Sequence, residues 1–324
     1  MTVHKNSKNK RIVFFGTPDF AVFFLQELII EEFNIVGVVT APDKKVGRKQ
    51  ILTKSPIKKM ADEYKLSVLT PKTIKNNESF KKELNSLKPD VCILVAYGKI
   101  IPKDILDIPE LGFLNIHPSK LPKYRGPAPI QYALLNGDRE TAITLMKLDE
   151  EMDTGGIYCQ LPLKIEAEET AESLHDRIGN LGAKYMSEKL SGIFRGELKT
   201  TPQNNSEATY SHMISRDDAK VDFSKSAKAI AYQGRAFFPW PGLYTTFMGK
   251  RLKLILPNAS KETREGLEPG NFFLTKDNEF AIITGRGSII PKELLLEGKK
   301  QLFNKDFVKG YGGKLENLDN QKNG

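Results

Sequence analysis

The chain of 324 residues is long for one hydrophobic core, so two domains are expected, and its 40% hydrophobic and 27% charged residues are ordinary for a soluble globular protein. No apolar run approaches the roughly 20 residues that a membrane span requires, and the basic start of the chain is followed by no segment resembling a signal peptide's, so a cytoplasmic protein is expected. The net charge of +9 favours an anionic partner, while two cysteines, Cys92 and Cys159, and four scattered histidines argue against a disulfide framework or a zinc site, so no metal is expected.

Residues 1–10 read as a flexible basic extension. The stretch RIVFFG at 11–16 is a buried-strand run, Thr17-Pro18-Asp19 supplies a turn with cap-forming residues, and an apolar-periodic helix continues to about residue 31. A second strand follows at 35–39. This order opens a doubly wound, mostly parallel sheet. The first turn reads GTPDF rather than a glycine-rich phosphate fingerprint, and no Walker sequence occurs, which disfavours a nucleotide cofactor.

Between residues 40 and 55 the periodicity lapses. Lys44, Lys45, Arg48 and Lys49 crowd around the single acid Asp43, a composition that suits a mobile loop meeting phosphate as well as a solvated surface loop. Ser55-Pro56 then starts a helix to about residue 64, another spans about 77–87, and 91–96 is the next buried strand. It ends at Ala96-Tyr97-Gly98, where the glycine lets a flat ligand approach the backbone.

The run Phe113-Leu114-Asn115-Ile116-His117 alternates like a strand and stops at Pro118, which cannot donate to a sheet ladder. Asn115 and His117 are two residues apart and share one face, so an amide and an imidazole address the same space. Directly after them, Pro118, Pro122 and Pro127 with Arg125-Gly126 make a stiff basic loop, and such loops at the carboxyl ends of α/β strands are where ligands bind. A strand at 141–148 leads into an acidic loop, Asp149 to Gly156, and a long helix at about 170–194 closes a catalytic domain spanning 11–199.

Residues 200–208, TTPQNNSEA, are polar and turn-rich and read as a linker. Beyond them, short β-type runs at 244–248, 251–256, 272–274 and 280–284, separated by Gly, Asn and Asp turns, suggest a small barrel over 209–310, with a frayed tail at 311–324. Residues 208–324 hold 19 Lys and Arg against 13 Asp and Glu, a net of +6, which leaves +3 for the rest. Lys250, Arg251 and Lys253 form the densest charge there.

Asn115-Ile116-His117-Pro118-Ser119, Leu121-Pro122-Lys123-Tyr124-Arg125-Gly126 and Ala128-Pro129-Ile130-Gln131 together resemble the signature of the 10-formyltetrahydrofolate-dependent formyltransferases. Val95-Ala96-Tyr97-Gly98 and Met152-Asp153-Thr154-Gly155-Gly156 extend the likeness, which runs in order from about Arg11 to at least Lys253. The chain departs in detail, with Lys123-Tyr124 where many members have Arg followed by Trp or Tyr, and Lys120 where Leu is common. The resemblance implies a Rossmann-like formyltransferase domain followed by an OB-like β-barrel. It implies Asn115, His117 and Asp153 as the catalytic set, and a folate pocket lined by Ala96, Tyr97, Gly98, Ser119, Leu121 and Pro122. It also implies 10-formyltetrahydrofolate as co-substrate and methionine-charged initiator tRNA as partner, gripped by Lys44, Lys45, Arg48, Lys49, Lys123, Arg125, Lys250, Arg251 and Lys253. A monomer is expected. Two other readings stay open: a formyltransferase acting on a small amine such as glycinamide ribonucleotide, and a catalytically silent RNA-binding protein.

Overall fold

The structure, a computed structural model, describes residues 8–47 and 49–320. The chain divides into two compact units, one made of Met1–Pro129, Glu140–Lys164 and His175–His212, the other of Ile130–Arg139, Ile165–Leu174 and Met213–Gly324.

The first unit is built on nine strands: β1 (Ile12–Gly16), β2 (Ile35–Val39), β3 (Lys44–Val46), β4 (Ile51–Thr53), β5 (Val68–Leu69), β6 (Val91–Val95), β7 (Phe113–His117), β8 (Glu140–Lys147) and β9 (Ile157–Lys164). Helices α1 (Asp19–Ile30), α2 (Pro56–Glu63), α3 (Glu78–Ser86) and α4 (Lys103–Leu106) lie between them; α5 (Pro129–Leu135) falls almost wholly in the second unit, as does the first turn of α6 (Ala171–Phe194). Seven strands form one sheet in the order β5-β2-β1-β6-β7-β8-β9; neighbours from β5 to β7 are parallel, and β8 and β9 join antiparallel. The runs IVFFG and VCILV are buried along their whole length, as strands covered on both faces must be. On one face the Phe15 ring meets Phe80, Tyr97 and Phe113 edge-on at 6.4, 5.4 and 5.1 Å. The Ser55 hydroxyl caps α2 by accepting from the Lys58 N–H, with Pro56 in the first turn, and Asn77 caps α3 by accepting from the Phe80 N–H, whereas α1 starts after Pro18 without the side-chain cap expected from Thr17-Pro18-Asp19.

Three expectations change here. The basic stretch after β2 is paired rather than loose, because β3 and β4 form a hairpin in the register Lys44↔Thr53. An Asp43–Lys58 ion pair of 2.8 Å and a Thr40–Ser55 hydroxyl contact of 2.8 Å hold its base. Lys44, Lys45 and Lys49 are exposed on it beside Val46, Ile51 and Leu52; Arg48 lies outside the described residues. Of the basic extension, residues 8–10 are tethered: Lys8 donates to the Glu31 carbonyl at 2.6 Å and Lys10 pairs with Asp90 at 3.3 Å, while residues 1–7 lie outside the described residues. The stretch read as a linker is bound to the first unit, since Thr201 exchanges both backbone bonds with Ile157 at 2.8 and 2.9 Å and Asn205–Glu207 closes a 3₁₀ turn.

The second unit carries α7 (Ala227–Ala236), β10 (Leu243–Phe247), β11 (Lys250–Ser260), β12 (Phe272–Leu274), β13 (Phe280–Ile283), β14 (Ser288–Leu296), β15 (Gln301–Phe303) and α8 (Asn304–Asn320). Its strands are all antiparallel and follow the path β10-β11-β14-β13-β12, with β15 added to β14. The two ends of that path meet through side chains: Phe247 of β10 and Phe272 of β12 lie 5.3 Å apart, edge to face. Phe280, Phe307 and Tyr311 complete the cluster around Phe247. Phe307 and Tyr311 are four residues apart, one above the other on α8, and stack at 4.6 Å. This packing makes a helix of the stretch expected to fray after Gly310. Strand β14 escaped sequence analysis because Pro291 interrupts it; in the structure Pro291 stands opposite Pro257 of β11, so the two missing N–H groups fall on a single residue pair.

Phe247→Ala is expected to destabilise the second unit by about 3–5 kcal/mol, the range for emptying a buried aromatic site. Trp240 is the only tryptophan of the chain and lies in this unit, so the urea midpoint of its fluorescence measures the loss. A change under about 1 kcal/mol would show that the ring cluster does not hold the sheet.

Candidate active site

The site is assembled where β7 ends. Parallel pairing with β6 and antiparallel pairing with β8 bury Asn115 and His117, which are 6% and 4% exposed, and set Thr144 opposite His117. The third member arrives on the loop between β8 and β9. Asp153 there takes a left-handed backbone conformation, φ +55°, which is uncommon for non-glycine residues although Asp enters it more readily than most.

The Asp153 carboxylate gathers three groups. Its Oδ1 accepts from the Asn115 amide at 3.3 Å, its Oδ2 accepts from the Gly126 backbone N–H at 2.8 Å, and the same oxygen lies 3.6 Å from His117 Nδ1. That last distance is beyond a hydrogen bond. The imidazole is fixed instead by the Tyr124 carbonyl, 2.9 Å from Nε2. A carbonyl only accepts, so Nε2 carries the proton of the neutral ring and Nδ1 is left as a bare acceptor beside the carboxylate. One amide N–H of Asn115 remains beyond the one given to Asp153.

The loop after β7 is held in place by its neighbours. Ser119 donates to the Lys123 carbonyl at 2.6 Å, and Thr144 donates to the Ser119 carbonyl at 2.6 Å. Farther along, the Tyr124 and Arg125 N–H groups donate to the Thr209 hydroxyl and carbonyl, and the Ser211 N–H donates to the Arg125 carbonyl, each at 2.8–2.9 Å. Gly126 has φ +113°, and a Cβ there would stand 2.4 Å from the Ser211 carbonyl oxygen, so this close approach admits no side chain.

Several expected site residues have other placements. Arg125, read as a tRNA contact, is 2% exposed; its guanidinium donates to Gln203 Oε1 at 3.1 and 2.8 Å and to Asn205 Oδ1 at 2.7 Å, so it fastens the loop internally. Ser119 and Leu121, read as folate ligands, are buried, the former with its hydroxyl committed to the loop. Tyr97 is also buried with its ring in the core, and burial pushes its phenol far above the ordinary range, so it serves as a neutral donor. Its hydroxyl has no hydrogen-bond partner among the described residues. Ala96, Gly98 and, in part, Pro122 remain accessible, and nothing lies within 4 Å of a Cβ built on Gly98. Lys123 is exposed beside the site, and Lys250, Arg251 and Lys253 are exposed on the second unit, with Arg251 lying 3.5 Å over the Tyr244 ring. Among the described residues no group of three or more His, Cys, Asp or Glu is placed to hold a metal. Gln203 was missed altogether, because a glutamine in a polar, turn-rich stretch carries no distinguishing signal.

An amide, an imidazole and a carboxylate converging at the end of a parallel strand define a centre suited to acyl transfer without a covalent intermediate, and the chain belongs to the formyl transferase family. Residues 10–190 match the family described as Formyl transferase, and residues 213–312 match Formyl transferase, C-terminal domain. The chain is 39% identical over 301 residues to the methionyl-tRNA formyltransferase of Caldanaerobacter subterraneus subsp. tengcongensis, covering 93% of this chain and 97% of that one. It is 42% identical over 302 residues to the methionyl-tRNA formyltransferase of Caldicellulosiruptor saccharolyticus, covering 93% and 96%. In fold it is similar to the N-formyltransferase from Helicobacter canadensis, solved with folinic acid and dTDP-3-aminofucose, with a TM-score of 0.65 and 23% identity over 87% of this chain and 98% of that one.

Arg125→Met is expected to lower stability by about 1–3 kcal/mol, because the polar acceptors it served lose their donor. The slope of log binding constant against log salt for tRNA is expected to stay as in the unaltered protein, whereas neutralising one phosphate fewer would reduce its magnitude by about 0.7–0.9. Thermal denaturation and a salt series check the two halves.

Proposed function

We infer that this protein transfers the formyl group of 10-formyltetrahydrofolate to the amino group of methionine esterified to initiator tRNA, for translation initiation in the cytoplasm, acting as a monomer. The observation that carries the reading is the Asn115–His117–Asp153 cluster at the end of β7, in a chain alike over its length to methionyl-tRNA formyltransferases.

The amino group reacts after losing its first proton to solvent. Its lone pair forms a bond to the formyl carbon, and negative charge grows on the formyl oxygen, where the free N–H of Asn115 stabilises it. His117 Nδ1, the bare acceptor of the tautomer fixed by the Tyr124 carbonyl, takes the second proton from the nitrogen that has attacked. The Asp153 carboxylate stabilises the resulting imidazolium. The tetrahedral intermediate then collapses: the bond from carbon to N10 breaks, its electron pair stays on N10, and Nδ1 returns its proton to that nitrogen. Formyl-methionyl-tRNA, free tetrahydrofolate and a neutral imidazole remain, and no covalent enzyme intermediate forms. The folate lies against the ends of β6 and β7, where Ala96 and Gly98 are exposed and open space surrounds Gly98. The exposed cations Lys44, Lys45, Lys49, Lys123, Lys250, Arg251 and Lys253 supply phosphate contacts, to which Arg48 adds a further cation in the sequence.

Transfer of labelled formyl from 10-formyltetrahydrofolate to methionyl initiator tRNA, compared with glycinamide ribonucleotide, tests the substrate; preference for the small amine would overturn the reading. Asn115→Ala and His117→Ala are each expected to slow transfer by about 100-fold or more with folate binding retained. A loss under about threefold for both, in folded protein, would remove them from the chemistry. Replacing Lys250, Arg251 and Lys253 together by Gln is expected to weaken tRNA binding and to reduce the magnitude of the salt slope by about 0.7–0.9 for each phosphate that is no longer neutralised. A slope equal to that of the unaltered protein would leave the second unit's basic strand without a phosphate role.

A further inference from the structure

We propose that Gln203 is a positioning residue of the formyl-transfer site, holding the backbone of the Asp153 loop so that the carboxylate stays within reach of His117. Its carboxamide is saturated. The oxygen accepts two bonds from the Arg125 fork, at 3.1 and 2.8 Å, and the nitrogen donates one to the Asp153 carbonyl and one to the Gly155 carbonyl, both at 2.8 Å. A primary amide has two N–H groups and two lone pairs, and all four are used here. The side chain therefore has one orientation: turned over, it would set its NH₂ against a guanidinium and its oxygen against two carbonyls.

These four bonds join the two loops that form the site. Arg125 belongs to the loop after β7 and lies next to Gly126, whose N–H holds the Asp153 carboxylate at 2.8 Å. Asp153 and Gly155 belong to the loop after β8. The catalytic acid is thus restrained twice, through its side chain by Gly126 and Asn115 and through its main chain by Gln203. The second restraint matters because Asp153 sits at φ +55°, a left-handed conformation that is a minority state even for aspartate. Without the two carbonyl contacts the loop is free to relax. The Asp153 oxygen stands 3.6 Å from Nδ1, so a displacement of a fraction of an ångström alters the field at the ring that takes the proton. No near relative of glutamine serves: Glu has no donor for the carbonyls, Leu has no polar atom, and Asn is a methylene short. The segment that carries Gln203 is itself anchored, at Thr201 to Ile157 and at Ser211 to Arg125, so the amide is presented from a fixed backbone.

This inference rests on the reading of Asp153 as a member of the catalytic set, and Asp153→Asn tests that reading separately. Gln203→Glu and Gln203→Leu, measured by single-turnover formyl transfer in the full chain, are expected to lower kcat by about 10- to 100-fold, with KM for folate and for tRNA within about twofold. Placed on Asp153→Asn, the same changes are expected to lower the rate by less than about twofold, because the group being positioned is already impaired. Asn205→Ala removes the other acceptor of the Arg125 guanidinium but touches neither Asp153 nor Gly155, and is expected to leave kcat within about twofold. The inference falls if both Gln203 variants keep kcat within about threefold, if their losses appear in KM alone, or if they multiply fully with Asp153→Asn. If Asp153→Asn itself keeps kcat within about threefold, the reading of Asp153 falls first and takes this inference with it.

Discussion

Everything at the site depends on one nearly buried carboxylate finding enough partners. A carboxylate removed from water is tolerable only when hydrogen bonds and opposite charge replace the solvent. Asp153 receives an amide N–H from β7 and a backbone N–H from the loop that follows it, with an imidazole edge close by. All three partners come from β7 and the loop after it, whereas the carboxylate arrives on the loop after β8. The carboxylate therefore acts as an assembly point that ties the loop after β8 to the end of β7.

The sheet explains why these parts meet. Parallel strands β1, β6 and β7 end at one edge, so their following loops converge there. At β7 the direction of the sheet changes: β8 runs antiparallel, which sets Thr144 beside His117 and, after one more turn, returns Asp153 to Asn115. The loop after β7 is then closed from the other side by residues 201–211, whose backbone bonds to Pro122 and Arg125, with the Thr209 hydroxyl accepting from the Tyr124 N–H, replace the strand that Pro118 forbids. Order in the loop comes from satisfying its own polar groups, through Ser119, Thr144 and Thr209, rather than from apolar burial alone.

Much of the first unit was legible because its signals are local. Continuous apolar runs marked β1 and β6, Ser55-Pro56 marked a helix start, and the Asn115–His117 spacing marked a shared polar face at the end of β7. What escaped depends on pairing between distant segments. The Lys44–Thr53 hairpin looked loose because its exposed strands alternate without an apolar face, and its order comes from pairing and from the ion pair at its base. Arg125 looked like a surface cation, since a basic residue among prolines ordinarily is one; only Gln203 and Asn205, far along the chain, show that it is buried and satisfied. The segment bearing those two residues had the composition of a linker, and its hydrogen bonds, not its hydrophobicity, bind it down. Fraying was expected of the tail after Gly310 because chain ends commonly fray, and the stacked pair Phe307–Tyr311 packs a helix there instead.

Closing the second unit's sheet with rings instead of a hydrogen-bonded seam leaves two strand edges whose backbones are not joined to each other. An exposed edge is a template on which another chain can add a strand. Here β12 is only three residues long, and on β10 the Tyr244 carbonyl is already taken by the Val221 N–H at 3.0 Å. The brevity of β12 and the Val221 bond on β10 reduce the unpaired backbone at the two edges, while Arg251 and Lys253 are exposed on β11.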